Sequence, residues 1–159
     1  MLTRGLLNSI AAASFAVLIA GCASLPSPDV MKAETASYQL PRLPDDGKAI
    51  VYVVRPSSLG GLIRFNVFVD NQEDPSEVGY TRGSQYIYFQ VLPGEHKIYS
   101  KAENWAETAV SAKVGDIIYF QQVPEMGIIM ARNNIFKIED LQGKYSVKTL
   151  TLGTLKLAQ

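Results

Sequence analysis

From Lys48 onward the chain sets short apolar runs between turn residues. Ala49-Ile50-Val51-Tyr52-Val53-Val54 is continuous and β-branched, the pattern of a central strand buried on both faces. Pro56 ends it, and Ser57 to Gly61 form a loop with two glycines. Ile63, Phe65, Val67 and Val69 then alternate with Arg64, Asn66 and Phe68, as in a half-buried strand. Asp70-Asn71 opens a polar loop through Pro75, Val78 to Thr81 is a short strand, and Arg82-Gly83-Ser84 a turn. In the next strand Tyr86, Tyr88 and Gln90 face away from Ile87, Phe89 and Val91. Pro93-Gly94 makes a tight turn, because Pro presets one central dihedral and Gly accepts the positive one. His96, Ile98, Ser100 and Ala102 share one face of the strand that follows.

Thr108 to Lys113 and Ile117 to Gln122 read as the arms of a hairpin about Val114-Gly115-Asp116. Ile128 to Arg132 continues the sheet, Asn133-Asn134 marks a bulge or turn, and Ile135 to Ile138 resumes it. Near the end, Leu141, Tyr145, Lys148 and Leu152 have helical spacing while Val147, Thr149 and Thr151 favour strand. A short helix over Gln142–Thr149 and an edge strand after it are expected. The pattern predicts an all-β domain, an antiparallel β-sandwich of immunoglobulin or transthyretin type with about seven to nine strands. Its expected core is Ile50, Tyr52, Val54, Phe65, Val67, Val69, Ile87, Phe89, Val91, Ile98, Ile118 and Phe120.

The N-terminal third is different. Ala23 to Gly47 holds Pro26, Pro28, Pro41 and Pro44, a density that favours extended chain, and it reads as a flexible tether with one brief helical turn at Val30–Ala36. Before it, a positive segment ending at Arg4 is followed by an apolar run, as in an export signal. The run is too short and too rich in small residues for a membrane span. It ends in Leu18-Ile19-Ala20-Gly21-Cys22, which holds the only cysteine. This stretch resembles a bacterial lipobox. The resemblance implies cleavage between Gly21 and Cys22 and acylation of Cys22, and so a membrane partner reached through that acyl anchor. One acyl chain holds a protein marginally and two hold it durably. Ala23 and Ser24 follow the cysteine, with no Asp to imply inner-membrane retention. The expected address is the cell envelope, on the periplasmic face of an outer membrane. The expected division is 1–21 signal peptide, 22–47 lipidated cysteine and tether, and 48–159 sandwich.

Removing residues 1–21 from a chain of 159 leaves 138 residues, enough for one domain. The whole chain has 15 Lys and Arg against 15 Asp and Glu. That balance excludes a nucleic-acid partner and gives no basic excess for an anionic lipid surface. A single cysteine excludes an internal disulfide.

Four pieces together resemble a bacterial family known only as a domain of unknown function, numbered twenty-eight forty-six. They are Gly47-Lys48-Ala49-Ile50-Val51-Tyr52-Val53-Val54-Arg55-Pro56, Asn66-Val67-Phe68-Val69-Asp70, Leu92-Pro93-Gly94-Glu95-His96, and the Met126-Gly127 turn. The resemblance implies a small secreted lipoprotein and carries no reaction, cofactor or catalytic residue. The polar insertion Gln72 to Ser76 departs from it.

The side chains offer little catalytic chemistry. His96 is the only histidine, which speaks against histidine-based metal sites and triads, and no cofactor is expected. Ser100 and Glu95 are near it in sequence, but Glu95 points to the opposite strand face. Asp45-Asp46 and Glu139-Asp140 are adjacent rather than opposed across a cleft. Asp70, Glu73 and Asp74 match no calcium-loop spacing. Arg55 and Arg132 each follow an apolar strand, where end-of-strand ion pairs are expected. Tyr80, Tyr86, Tyr88, Tyr99 and Trp105 are the candidate binding surface, since aromatic faces bury large area at little rotamer cost. Tyr86 and Tyr88 share a strand face, and Tyr99 is expected to meet them from the next strand. The function expected is a non-catalytic envelope module that binds a protein partner or peptidoglycan. The alternative is an envelope hydrolase with His96 as general base.

Overall fold

The computed structural model describes residues 25–156, so Gly21, Cys22 and the lipobox lie outside the described residues. Ten strands form two five-stranded sheets, and two short helices accompany them. In chain order the elements are α1 (Pro28–Thr35), β1 (Ala49–Arg55), β2 (Phe65–Val69), β3 (Glu77–Thr81), β4 (Gln85–Val91), β5 (Gly94–Lys101), β6 (Trp105–Ala112), β7 (Ile117–Glu125), β8 (Arg132–Lys137), α2 (Asp140–Thr149), β9 (Thr151–Leu152) and β10 (Thr154–Leu155). Sheet A runs β8-β7-β1-β4-β9 and sheet B runs β10-β3-β2-β5-β6. The expected β-sandwich is found, with ten strands rather than seven to nine among the described residues, and sheet A is mixed rather than antiparallel: β1 pairs parallel with β7, and β4 parallel with β9.

Two expected hairpins are instead crossings between sheets. β4 lies in sheet A and β5 in sheet B, so Leu92-Pro93 turns a corner. β6 lies in sheet B and β7 in sheet A, so Val114-Gly115-Asp116 is a second corner, tied to the start of β1 by Gly115 N–H donating to the Lys48 carbonyl. A turn signal marks where the chain reverses, not which sheet it rejoins. The real hairpins are β2–β3, β5–β6 and β7–β8. Ile128 to Arg132 is not a strand: only Arg132 joins β8, and residues 126–131 form an exposed loop. The C-terminal helix is present, and the strands after it edge both sheets.

The two inner faces enclose one core, built from Val51, Val53, Val67, Ile87, Phe89, Val91, Ile98, Ile118, Phe120 and Ile135. A chain of polar groups crosses this core near one end. Thr81 Oγ1 donates to Gln122 Oε1 at 2.5 Å, and Gln122 Nε2 donates to Ser100 Oγ at 2.7 Å. All three residues are fully buried, and Gln122 of sheet A thereby links two strands of sheet B. Satisfied buried polar groups of this kind fix one register between packed layers.

Sheet A has a second buried face. Ile50, Tyr52, Val54, Tyr86, Tyr119, Ile138 and Val147 form a cluster there, with Tyr38, Leu40, Tyr88 and Leu150 against it. α2 lies on this face through Gly143, where an added β-carbon would overlap the Tyr119 ring. α1 packs on α2, with Met31 and Thr35 buried and Lys148 paired to Glu34 at 2.9 Å. The segment expected as an extended tether is therefore docked from α1 onward. It has a sound local reason to start as a helix: Ser27 caps Val30 N–H, Pro28 stands at the first turn and Asp29 faces the helix dipole. After α1 the chain straps sheet A. Tyr52 Oη donates to the Arg42 carbonyl at 2.5 Å and accepts from Arg42 N–H, while the Gln90 amide grips Leu43 O and Asp45 N–H.

Arg55 is wholly buried, which contradicts the expected ion pair. Its guanidinium donates to the carbonyls of Ile63 at 2.8 Å and of Leu59 and Gly60 at 2.9 Å, and it lies 3.7 Å over the Phe65 ring. Burial lowers its pKa to about 10. Arg55 thus gathers the β1–β2 loop, residues 56–64, around one cation. Beside it Gly83 N–H bonds to the Gly61 carbonyl, and side chains at these two glycines would collide with facing backbone. Arg55→Leu should cost about 2–4 kcal/mol, since three carbonyls lose a charged donor. Arg55→Lys should recover only part, because a point charge does not span three acceptors. Denaturant midpoints measure both, and an unchanged midpoint for Arg55→Leu would refute the clamp.

Candidate functional site

The five aromatic candidates do not form one surface. Tyr86 and Tyr88 belong to the second face of sheet A, where Tyr52 lies 6.2 Å from Tyr86, 5.7 Å from Tyr88 and 5.6 Å from Tyr119 between ring centroids. Tyr86 is buried there and Tyr88 half-buried. Burial raises the phenol pKa values of Tyr52, Tyr86 and Tyr119 above the ordinary value. Tyr99 does not meet them, because β5 belongs to the other sheet. The sequence pattern placed Tyr86 and Tyr88 opposite a natural core face. It could not show that the strap and α2 make a second core on their side. A cleft of about 610 Å³ remains between strap and helix, lined by residues such as Tyr38, Leu40, Ile117, Tyr119, Leu141 and Lys144.

Tyr80, Tyr99 and Trp105 lie on the outer face of sheet B. Strand register sets Tyr80, Asn66, Lys101 and Trp105 in a single row across β3, β2, β5 and β6. At the usual strand spacing the two ends of this row are roughly 14 Å apart. Each end is an aromatic ring with a cation over it: Arg64 lies 4.6 Å and Arg82 5.4 Å from the Tyr80 ring, and Lys101 Nζ lies 5.0 Å from Trp105. Hydrogen bonding to Thr154 and the charges of Arg64 and Arg82 lower the Tyr80 phenol pKa. Between the rings, Asn66 Nδ2 donates to Glu77 Oε1 at 2.7 Å. The next row brings Phe68 and Tyr99 behind Trp105, with centroids 5.1 and 6.4 Å from it. Phe68 and Tyr99 are buried and stiffen the Trp105 ring, which stays 37% exposed. Asn66, Phe68 and the three cations were missed in the sequence. Phe68 was visible there as the off-phase aromatic of its strand, and only register brings it under Trp105.

His96 sits on the inner-facing side of β5 at the rim of the sandwich, opposite Val110. Its Nδ1 is 3.0 Å from Asp70 Oδ2, and its Nε2 is 2.7 Å from the Leu92 carbonyl. Both ring nitrogens face acceptors, an arrangement that favours the imidazolium, and both are already engaged within the protein. Burial alone would lower the pKa, but the hydrogen bonds to Leu92 and Asp70 and the charges of Asp70 and Glu95 outweigh it and raise it. Asp70 has φ +67°, a left-handed turn that Asp tolerates, and its carboxylate also accepts from Lys97 N–H. Ser100 lies four residues along the strand, about 13 Å away at strand spacing, and its hydroxyl is bonded to Gln122. Among the described residues no cluster of three or more acidic, His or Cys side chains is placed to hold a metal ion. No described helix is long and apolar enough to cross a membrane.

Residues 45–134 match the family described as "Protein of unknown function (DUF2846)". The chain is also similar to an uncharacterized protein of Haemophilus influenzae, 22% identical over 138 residues, which is 86% of this chain and 79% of that protein. The four sequence pieces that carried the resemblance all lie inside the matched region or its start. Three of them are now structural devices: Arg55 gathers a loop, and Asp70 clasps His96 across the rim. The match spans more than half of the sequence, and this chain belongs to the DUF2846 family of proteins of unknown function.

Proposed function

We propose that this protein is a lipid-anchored envelope protein whose sandwich works as a binding module rather than a catalyst. The anchor is Cys22, after cleavage behind Gly21, on the periplasmic side of an outer membrane. The ligand is an envelope protein or a cell-wall glycan, met by the outer face of sheet B. One observation carries this reading. Sheet A is covered by the strap and by α2, on which α1 packs, whereas no described layer covers the Tyr80–Asn66–Lys101–Trp105 row. Aromatic rings at two ends of a polar row suit a chain of sugar rings, which stack on such faces and take hydrogen bonds at their edges. The engaged nitrogens of His96 support the non-catalytic reading over the hydrolase alternative.

Tyr80→Ala combined with Trp105→Ala should lower retention of the full-length protein on peptidoglycan, or its recovery of envelope proteins after cross-linking, by about tenfold. Tyr88→Ala should not. Equal losses from both variants would remove sheet B from the reading. Mass spectrometry of the membrane form should find a chain that begins at acylated Cys22, and a mature form beginning elsewhere would end the anchor reading.

His96 supplies a pH test. The folded imidazole holds its proton more tightly than the ordinary value of 6.5. Its contribution to stability is complete below the unfolded value and fades as pH rises through the folded one. His96→Gln should therefore lose most stability in acid and least in alkali, read from melting curves across pH. A difference independent of pH would refute the imidazolium clasp.

A further inference from the structure

Two loops at one end of the sandwich expose a concentration of apolar side chains. The β1–β2 loop presents Leu59 and Leu62, and the β7–β8 loop presents Met126, Ile128, Ile129 and Met130. Ile128, Leu62 and Ile129 are 91%, 90% and 88% exposed. The loops are neighbours: Leu59 and Ile63 face Met126 and Ile129 across a groove of about 300 Å³. Single exposed apolar residues are ordinary, but six on two touching loops make a patch.

These tips are braced by specific bonds. The Glu103 carboxylate, from the β5–β6 turn, accepts from Ile128 N–H at 3.1 Å, Ile129 N–H at 2.9 Å and Met130 N–H at 2.6 Å. Asn104 exchanges bonds with Asn133 at the loop's exit. Arg55 gathers the other loop. Three N–H groups of one tip and three carbonyls of the other are thus satisfied within the protein, while the apolar side chains stay exposed. A loop that enters an apolar medium requires this, since an unpaired N–H there is costly.

Charge is segregated in the same direction. The apolar end also carries Arg64, Arg82, Lys101 and Arg132, against Glu103, already engaged, and Glu125. The opposite end carries Asp45, Asp46, Asp70, Glu73, Asp74, Glu95 and Asp116, with Arg42, Lys48, Lys97, Lys113 and Lys156 among them, and its exposed Leu43, Leu92 and Val114 stand singly. The balanced total charge of the sequence conceals this division.

We infer that the loop end docks on an anionic lipid surface, with Leu62, Met126, Ile128 and Ile129 dipping into the interface and Arg64, Arg82, Lys101 and Arg132 meeting the headgroups. Protruding apolar tips on an end that also carries these cations fit a bilayer interface. A second copy fits poorly, because it would bring the same cations face to face. This contact does not rest on the Cys22 anchor, and it shares Arg64, Arg82 and Lys101 with the sheet B row.

The test uses the full-length chain with Cys22→Ser, which leaves no other cysteine, and a fluorophore sensitive to polarity attached at Ile128→Cys. A control carries the label at Glu95→Cys, at the opposite end. On phosphatidylcholine vesicles containing phosphatidylglycerol, the label at 128 should shift to the blue and be quenched by nitroxide-bearing lipid, while the label at 95 should not. Adding Ile129→Asp should weaken the effect about tenfold, and its melting temperature should stay that of the parent, as expected for so exposed a residue. A label at 128 that stays in water on every vesicle, or labels at 128 and 95 that behave alike, overturns the proposal. Equal insertion into neutral vesicles removes the role of the cations. A blue shift that grows with protein concentration and needs no lipid assigns the patch to a second copy instead.

Discussion

Strand β1 is buried over its whole length and on both faces, and this constraint organises the molecule. A strand of Ala, Ile, Val, Tyr and Val side chains cannot leave either face in water, so sheet A needs a cover on each side. Sheet B supplies one. The other is assembled from pieces far apart in sequence: α2, α1 and the strap between α1 and β1. The fold is therefore a three-layer arrangement in which only sheet B keeps an outer face. The proposed ligand face follows that asymmetry, and on the sheet A side only the cleft between strap and helix, lined in part by Tyr119, stays open.

The two cores are of different kinds. Between the sheets lie aliphatic and Phe side chains, crossed by the Thr81–Gln122–Ser100 chain, which has one satisfied geometry and so specifies how the layers align. Behind sheet A the Tyr52 ring packs on those of Tyr86, Tyr88 and Tyr119, while its Oη reaches the Arg42 backbone. A tyrosine in such a place joins an apolar body to a polar handle, so it can both bury a helix and hold an irregular strap. Phenylalanines there would bury similar area and leave the strap's backbone without its anchor.

Much of this was legible from alternation. The strand around Phe89 shows its inner residues directly, and every expected core residue is buried except Val69, which is half-buried. Three things were not legible. Pairing order is a long-range property, so Pro93-Gly94 and Val114-Gly115 announced turns without announcing changes of sheet. Ile128-Ile129-Met130 is an apolar run whose local signal is the same whether it lies in a strand or on a loop held by a carboxylate from another turn. The prolines of residues 26–44 argued for extended chain, and the chain between α1 and β1 is indeed irregular. Irregular backbone can still be pinned, here by Tyr52 from the following strand and by Gln90 from a strand 47 residues beyond Leu43.

Docking of the strap bears on the mechanics of the proposed Cys22 anchor. With residues 28–47 committed to the fold, only five peptide steps separate Cys22 from the cap at Ser27. Fully extended, they span about 17 Å. A domain held by that anchor would be on a short leash and could not sweep the volume away from the membrane. It would diffuse in two dimensions with its lower surface always within reach of the lipid. Weak contacts made by that surface would act at high effective concentration, and a partner would have to come to the bilayer to be met.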